Sequence, residues 1–364
     1  MATLLKWAKR FSNTNFKTIS ASEILEEERF ELFKKGHYYP VNIGGVFSSK
    51  YQVIRKLRFG VTSTVWLARD LVGHQYVTLK VYTRDEDCHE EFEIYKQLSQ
   101  RKSWHRGSWH VRTALDTFTI PRSGGDHGIF ELKYRNPIHR FTEDLLKAGL
   151  QQVLVALDYL HTECKLVHTD IKGDNILQEI ADKAILESFS KAELKYPSPR
   201  KFINGAPVYA SRQFNVPKSF GRAVLSDFEV MLKAGWSYPI NIWSVSVMIW
   251  DFFKDRHLFY SNDPDGRGYT TRAHLAKMIE ILGPPPVDLI SRGTRAHEFF
   301  TKDGKWKQDI EIPRDTSLES SEKFLKGRDK EMFMDFTRGM LQWRPEDRKT
   351  PKELLQDPGL NDKI

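Results

Sequence analysis

The sequence predicts an α+β protein of two lobes, a small antiparallel five-stranded sheet followed by a mainly helical lobe. Three observations carry this. Short apolar bursts rich in β-branched and aromatic residues recur between residues 51 and 82 and between 113 and 133. From residue 142 the apolar spacing changes to the helical period. The chain has 364 residues, enough for two cores or one bilobal unit. With 40% hydrophobic and 29% charged residues it has the composition of a globular chain. No apolar run reaches membrane-spanning length, and the most apolar one, residues 240–253, carries Asn241 and Asp251 and reads as a buried helix.

Charge and cysteine usage exclude several classes. The net charge of +8 is modest and the 56 Lys and Arg form no block, so direct nucleic-acid binding is not signalled. Cys88 and Cys164 lie far apart without metal-ligand spacing, which implies a reducing compartment, cytoplasm or nucleus, and no disulfide framework. The first twenty residues are basic, with no acid before Glu23. That resembles a mitochondrial presequence and also suits a short docking leader, the reading adopted here.

Residues 20–35 read as a helix, with Ser22 as cap and Glu23, Glu26, Glu27 and Glu28 at its positive end. Residues 37–47, HYYPVNIGGVF, suit an extended segment docked on the domain that follows. Residues 51–57, 65–70 and 75–82 read as a three-stranded meander. Between the first two lies RFGVTST, where bare glycine amides could approach a phosphate and where a plain hairpin turn fits equally. Lys80 sits among apolar strand residues, a costly place unless paired or able to reach solvent. The helical pattern of residues 89–100 offers Glu93 as that partner, beside Phe92 and Leu98.

Residues 101–112 read as a loop, and 113–120 and 127–133 as two more strands. Residues 130–132 would connect the two lobes. Leu146, Leu150, Val153, Leu154, Leu157 and Leu160 form a core stripe on one helix. That helix delivers the chain to HTDIKGDN, residues 168–175, where Asp170, Lys172 and Asn175 follow one another at spacings of two and three. Asp, Gly and Asn are also ordinary turn residues. Residues 177–190 give mixed helix signals and 198–220 read as an irregular loop. Helices are expected at 271–282, stopped by Gly283, at 329–342, and at 351–356 behind a Thr350–Glu353 capping box.

In their order these motifs resemble the eukaryotic serine/threonine protein kinases over residues 51–358, and more narrowly the fungal-type SR-protein kinases. HTDIKGDN, with Thr169 where most kinases carry Arg, is joined by YYPVNIG, STVWLARD, GWSYPINIW and AHLAKMIEILGPPP. The resemblance implies a bilobal kinase fold divided into a leader (1–50), an N-lobe (51–133) and a C-lobe (134–364). It implies ATP and Mg2+ as cofactors, Asp170 as the base and Lys172 as its phosphate-facing partner. Leu57, Gly60, Val65, Lys80, Glu93, Glu131 and Leu132 would hold the nucleotide, and Asn175 and Asp227 the metal. The implied partner is a protein substrate, of the Arg/Ser-repeat kind that the SR-protein kinases take, held by acids such as Asp251, Asp255, Asp263 and Asp265. No membrane contact is expected, and a monomer is.

The chain departs from the family pattern at named positions. Arg58 and Ser63 replace the outer glycines of the phosphate loop, Asn241 replaces an Asp and Ser246 a Gly. Asp227-Phe228 is followed directly by Glu229, so the activation segment is missing between 228 and 229. Two residue steps span at most about 7 Å, so Asp227 and Glu229, the latter with Arg348, are not expected to hold both family positions. Three readings follow: an active kinase, a kinase-fold protein that only binds nucleotide or a partner, and a kinase shortened by an omitted exon.

Overall fold

The computed structural model describes residues 8–12, 14–84, 89–122, 125–133, 135–137, 143–180, 182–212, 221–226, 237–254, 257–259, 262–266, 268–314 and 316–362. The chain divides into two compact units, residues 1–103, 112–136 and 178–222 in the first, and 104–111, 137–177 and 223–364 in the second. This differs from a single cut at residue 133. The leader and the segment 178–222, here called the insert, belong with the sheet.

The sheet has six strands rather than five: β1 (Val46–Phe47), β2 (Tyr51–Phe59), β3 (Ser63–Asp70), β4 (Gln75–Tyr82), β5 (Ala114–Ile120) and β6 (His127–Lys133), in the order β1-β2-β3-β4-β6-β5. The added strand comes from the leader. All neighbours run antiparallel. Helix α1 (His89–Gln100) follows β4.

Both faces of the central strands are covered, so β2, β3 and β4 are buried almost continuously rather than alternately. On one face Val53, Trp66, Ala68, Val77 and Leu79 pack with Val41 and Ile43 of the leader and Tyr209 of the insert. On the other, Ile54, Leu57 and Leu67 pack with Leu186 and Phe189 of the insert helix, Lys183–Lys195. Bulges between Val53 and Arg55 and between Lys56 and Arg58 shift the register of β2.

Charges are buried at the same junction. Lys56 is fully buried and pairs with Glu26 at 2.8 Å, with Glu27, and with the Tyr209 carbonyl at 3.1 Å. Arg55 meets Glu193 at 2.8 Å and Ser198 at 2.9 Å. Lys201 pairs with Glu28 at 2.7 Å. Burial pushes the Glu27 and Glu193 carboxyls above the usual range, opposed by Lys56 and Arg55 respectively.

These pairings explain why residues 20–35 do not form one helix. Only two short turns form, Glu26–Arg29 and Glu31–Lys34, because the glutamates turn aside to meet Lys56 and Lys201. The insert also departs from expectation. Asp182 caps the insert helix, and Arg200–Ile203 and Ala206–Tyr209 form a hairpin. Its two-residue loop is Asn204-Gly205, both with positive φ, the turn chemistry that suits the twist of paired strands.

The second unit is helical. Its main helices are α2 (Glu143–Tyr159), α3 (Pro239–Lys254), α4 (Thr271–Leu282) and α5 (Gly327–Met340). The leucine stripe of α2 is buried as expected. Trp250 of α3, Ile281 of α4 and Met334 of α5 meet in one cluster with Phe259 and Leu341. The Thr350–Glu353 capping box forms, with Pro351 at the first helical position. Residues 106–110, expected as loop, make a short 3-10 helix against α2. A Cβ on Gly107 would lie 2.1 Å from the Val155 carbonyl, so the contact requires glycine there. Among the described residues no helix is long and apolar enough to cross a membrane.

Candidate active site

In the first unit, the β3–β4 register sets Lys80 opposite Val65, on the face that carries Leu57 and Leu67. Leu79 and Val81 point into the opposite core. The Lys80 ammonium lies 3.0 and 3.3 Å from the two carboxylate oxygens of Glu91, and the Tyr82 hydroxyl donates to the same carboxylate at 2.5 Å. Burial, first of all, holds the Tyr82 phenol well above its ordinary value, so it remains a donor.

The expected partner Glu93 is corrected here. It pairs with Lys96 at 3.3 Å on the exposed side of α1. The buried stripe of α1 runs through Ile94, Tyr95 and Leu98, and residue 91 precedes Tyr95 and Leu98 by four and seven positions, so it shares their face. Residue 93 falls on a neighbouring face.

Gly60 closes the turn between β2 and β3, its N–H donating to the Ser63 carbonyl at 2.8 Å. Its φ is not positive, and an added Cβ would meet only that carbonyl, at an ordinary 3.7 Å. The backbone shape therefore does not demand a glycine. Leu57 is buried and Val65 partly so, both against the insert helix. Glu131 and Leu132, expected in a connection, lie inside β6 between β4 and β5, where ladders on both sides engage their backbones.

In the second unit, α2 runs on through a π-helical turn, Leu160–Cys164, and stops at Lys165 in the left-handed region. The loop that follows is held at several atoms. His168 is fully buried and its Nε2 lies 3.0 Å from the Ser226 carbonyl. Thr169 takes φ +60°, and the Asp170 N–H donates to the His168 carbonyl at 2.8 Å, a tight γ-turn that a β-branched residue enters only under constraint. The constraint comes from α3, where Asn241 Oδ1 accepts the Thr169 N–H at 3.1 Å. Asn241 Nδ2 then faces His161 Nε2 at 2.9 Å. Burial lowers His161 to about 4, so the neutral ring serves as acceptor. Asn241 thus does the holding expected of an Asp without the charge.

The turn aims three side chains together. Lys172 lies 2.6 Å from Asp170 Oδ2. Asn175 Nδ2 donates to the same oxygen at 2.7 Å and to the Asp170 carbonyl at 2.9 Å. Among the described residues Asp170 Oδ1 and Asn175 Oδ1 face no donor within hydrogen-bond distance. A Cβ on Gly173 would lie 2.1 Å from the Phe252 ring, so close packing against α3 requires glycine there. Ser226 anchors the strand Ala223–Leu225 by donating through N and Oγ to the Asn175 carbonyl, at 2.8 and 3.0 Å.

Asp227, Phe228 and Glu229 lie outside the described residues, and so does the expectation placed on their spacing. Arg348 donates to the Gln342 and Pro239 carbonyls and stacks 4.8 Å from the Trp243 ring. Among the described residues no three of His, Cys, Asp and Glu gather as a metal cluster. One oxygen ligand, Asn175 Oδ1, fits a hard cation that takes its remaining ligands from phosphate oxygens and water.

The expected acidic groove is partly corrected. Asp263 is buried and held by Arg272 and Thr270, and Arg272 also pairs with Asp265 and Asp309. Arg272 holds the Asp263 carboxyl well below its usual range. Asp251 bonds His257 at 2.8 Å. Asp255 lies outside the described residues.

The comparisons agree with this geometry. Residues 51–360 match the protein kinase domain family. A serine/threonine protein kinase of Aspergillus fumigatus is 38% identical, over 95% of this chain and 93% of that protein. The serine/threonine-protein kinase SRPK of Physarum polycephalum is 27% identical, over 93% and 92%. SRSF protein kinase 3 of Mus musculus is 35% identical over 44% of this chain and 31% of its own. A solved kinase domain overlays with a TM-score of 0.66 at 20% identity, covering 90% of this chain and all of that one. A cation paired with a helix carboxylate in one unit, an Asp–Lys–Asn loop in the other and these matches place the chain in the protein kinase family, as a serine/threonine protein kinase.

Proposed function

We propose that this kinase transfers the γ-phosphate of Mg-ATP to serines in Arg/Ser-rich proteins, in the cytoplasm or nucleus. The observation that carries the chemistry is the bonding of Asp170: Lys172 and Asn175 both occupy Oδ2, and Oδ1 is left for the substrate hydroxyl. Asp170 accepts that proton as the oxygen attacks, and Lys172 offsets charge gathering on the phosphoryl group. The nucleotide supplies the phosphoryl group and, with its metal, stabilises the charge that develops on it. Asn175 Oδ1 is one ligand for that metal, and Asp227 is the second by sequence. The Lys80–Glu91 pair presents an ammonium to the nucleotide phosphates. The Arg/Ser preference rests on the two kinases whose names carry SRPK or SRSF.

The comparisons give no support to a non-catalytic reading. The Aspergillus alignment spans 381 positions, more than the 364 residues of this chain, so that relative carries segments with no counterpart here. The test is phosphorylation of a Ser/Arg-rich peptide against an acidic serine peptide, with Asp170→Ala alongside. Removing a general base lowers turnover by about 10²–10⁴-fold, and the Ser/Arg peptide is the better substrate. Equal incorporation by wild type and variant would refute the catalytic assignment, and equal use of both peptides would refute the substrate.

A further inference from the structure

The leader reaches the phosphate loop through one side chain. The Tyr38 hydroxyl lies 2.6 Å from the Gly60 carbonyl oxygen and 2.6 Å from the Val61 carbonyl oxygen. Its single proton is shared between two successive acceptors. Tyr38 is itself mounted firmly: its ring meets Phe33 at 5.7 Å, the His37 carbonyl accepts the Arg84 N–H at 2.7 Å, and Val41 is buried in the sheet core. Phe30 meets Phe59 at 6.2 Å, and Arg29 lies 5.4 Å from the same ring, so the leader also grips the strand entering the loop. Burial, with the Glu27 charge adding to it, keeps the Tyr38 phenol protonated.

Peptide planarity gives this contact a second side. The chain has no cis peptide bond among the described residues. In a trans peptide the C=O and the following N–H point in opposite directions. With the Gly60 and Val61 carbonyls both turned to Tyr38, the Val61 and Thr62 N–H groups both turn away from it. Two consecutive N–H groups on one side form a concave anion site. The family pattern would use three glycines in this loop, whereas here Arg58 and Ser63 stand at the outer positions and Gly60 is not demanded by its own backbone.

We propose that Tyr38 is a positioning residue for the nucleotide: by fixing the Gly60 and Val61 carbonyls it holds the Val61 and Thr62 amides as donors to the phosphates. This rests on the ATP reading above. The leader then takes part in binding and is more than a structural strap.

The test uses the full chain and Tyr38→Phe, which keeps the ring and removes only the hydroxyl. Hydrogen exchange of amides 58–64 is measured without nucleotide, and Mg-ATP binding, KM and kcat are measured separately. One ordinary hydrogen bond is worth about a fivefold change in an equilibrium. The expected result is about fivefold faster loop exchange and about fivefold weaker ATP binding with a matching rise in KM. The kcat and the melting temperature stay close to wild type. Unchanged exchange overturns the clamp. Faster exchange with unchanged ATP affinity overturns the positioning role, as does a lowered melting temperature with KM unaltered. If the wild-type chain binds no Mg-ATP, the nucleotide reading fails and takes this proposal with it. If the wild type binds and the variant binds equally, this proposal alone fails.

Discussion

Single side chains decide how much of the chemistry is in place. The pairing of Lys80 with Glu91 gives a sharp contrast: Glu91→Gln removes the charge that holds Lys80, whereas Glu93→Gln touches only an exposed pair. The expected outcome is a loss of about 10–100-fold in kcat/KM for Glu91→Gln, since truncating one partner of a largely buried charged pair costs about 2 kcal/mol or more. Glu93→Gln stays within twofold, exposed pairs being worth well under 1 kcal/mol. Steady-state kinetics of both variants checks it.

The His161–Asn241–Thr169 chain predicts an acid sensitivity. His161 titrates near 4 in the folded chain and near 6.5 when unfolded. Between those values the unfolded chain binds the extra proton, so stability is full above about pH 6.5 and falls as pH drops towards 4, by roughly 3 kcal/mol. Asn241→Asp supplies a carboxylate that favours protonated His161 and so raises its folded value towards the unfolded one; the loss still begins near pH 6.5 but is smaller. Urea unfolding at several pH values checks both. The Asp170, Lys172 and Asn175 grouping was implied by the resemblance to the protein kinases, since their spacing alone suits a turn as well. Glu91 could not, because short helices offer adjacent glutamates and only the full buried stripe chooses between them.

At the scale of elements, the insert was the least legible part. Its sequence mixes Pro, Gly and Ser with apolar residues, which reads as loop when no partner is in view. Two local signals were nevertheless present, Asp182 as a cap and Asn204-Gly205 as a hairpin turn. The strands of the sheet were legible because their β-branched bursts are long and bounded by turns. The edge strand β1 was missed because two residues give no periodicity. The insert helix predicts its own test. Phe189 is buried beneath Arg55, whose guanidinium lies 4.9 Å from its ring. Phe189→Ala leaves a cavity and exposes that pair, at about 3–5 kcal/mol. Chemical denaturation followed by a probe in the first unit reads it.

For the molecule as a whole, the first unit is assembled from three distant stretches of chain around Lys56. Lys56→Met leaves the buried Glu27 and the half-buried Glu26 beside one another without their cation, and the expected destabilisation is about 3–5 kcal/mol. Replacing all three with apolar residues of similar size is expected to recover most of it, measured as the urea midpoint of each variant. This arrangement has a further consequence for synthesis on the ribosome. The sheet strands emerge by residue 133, but Leu186, Phe189 and Tyr209, which cover its two faces, come later. At about 5–20 residues per second the nascent sheet waits several seconds for its cover. During that interval Ile54 and Leu67 stand open while Val41 and Ile43 of the leader already cover part of the opposite face, so the growing chain exposes apolar surface at a stage when an ordinary sheet domain would already have closed.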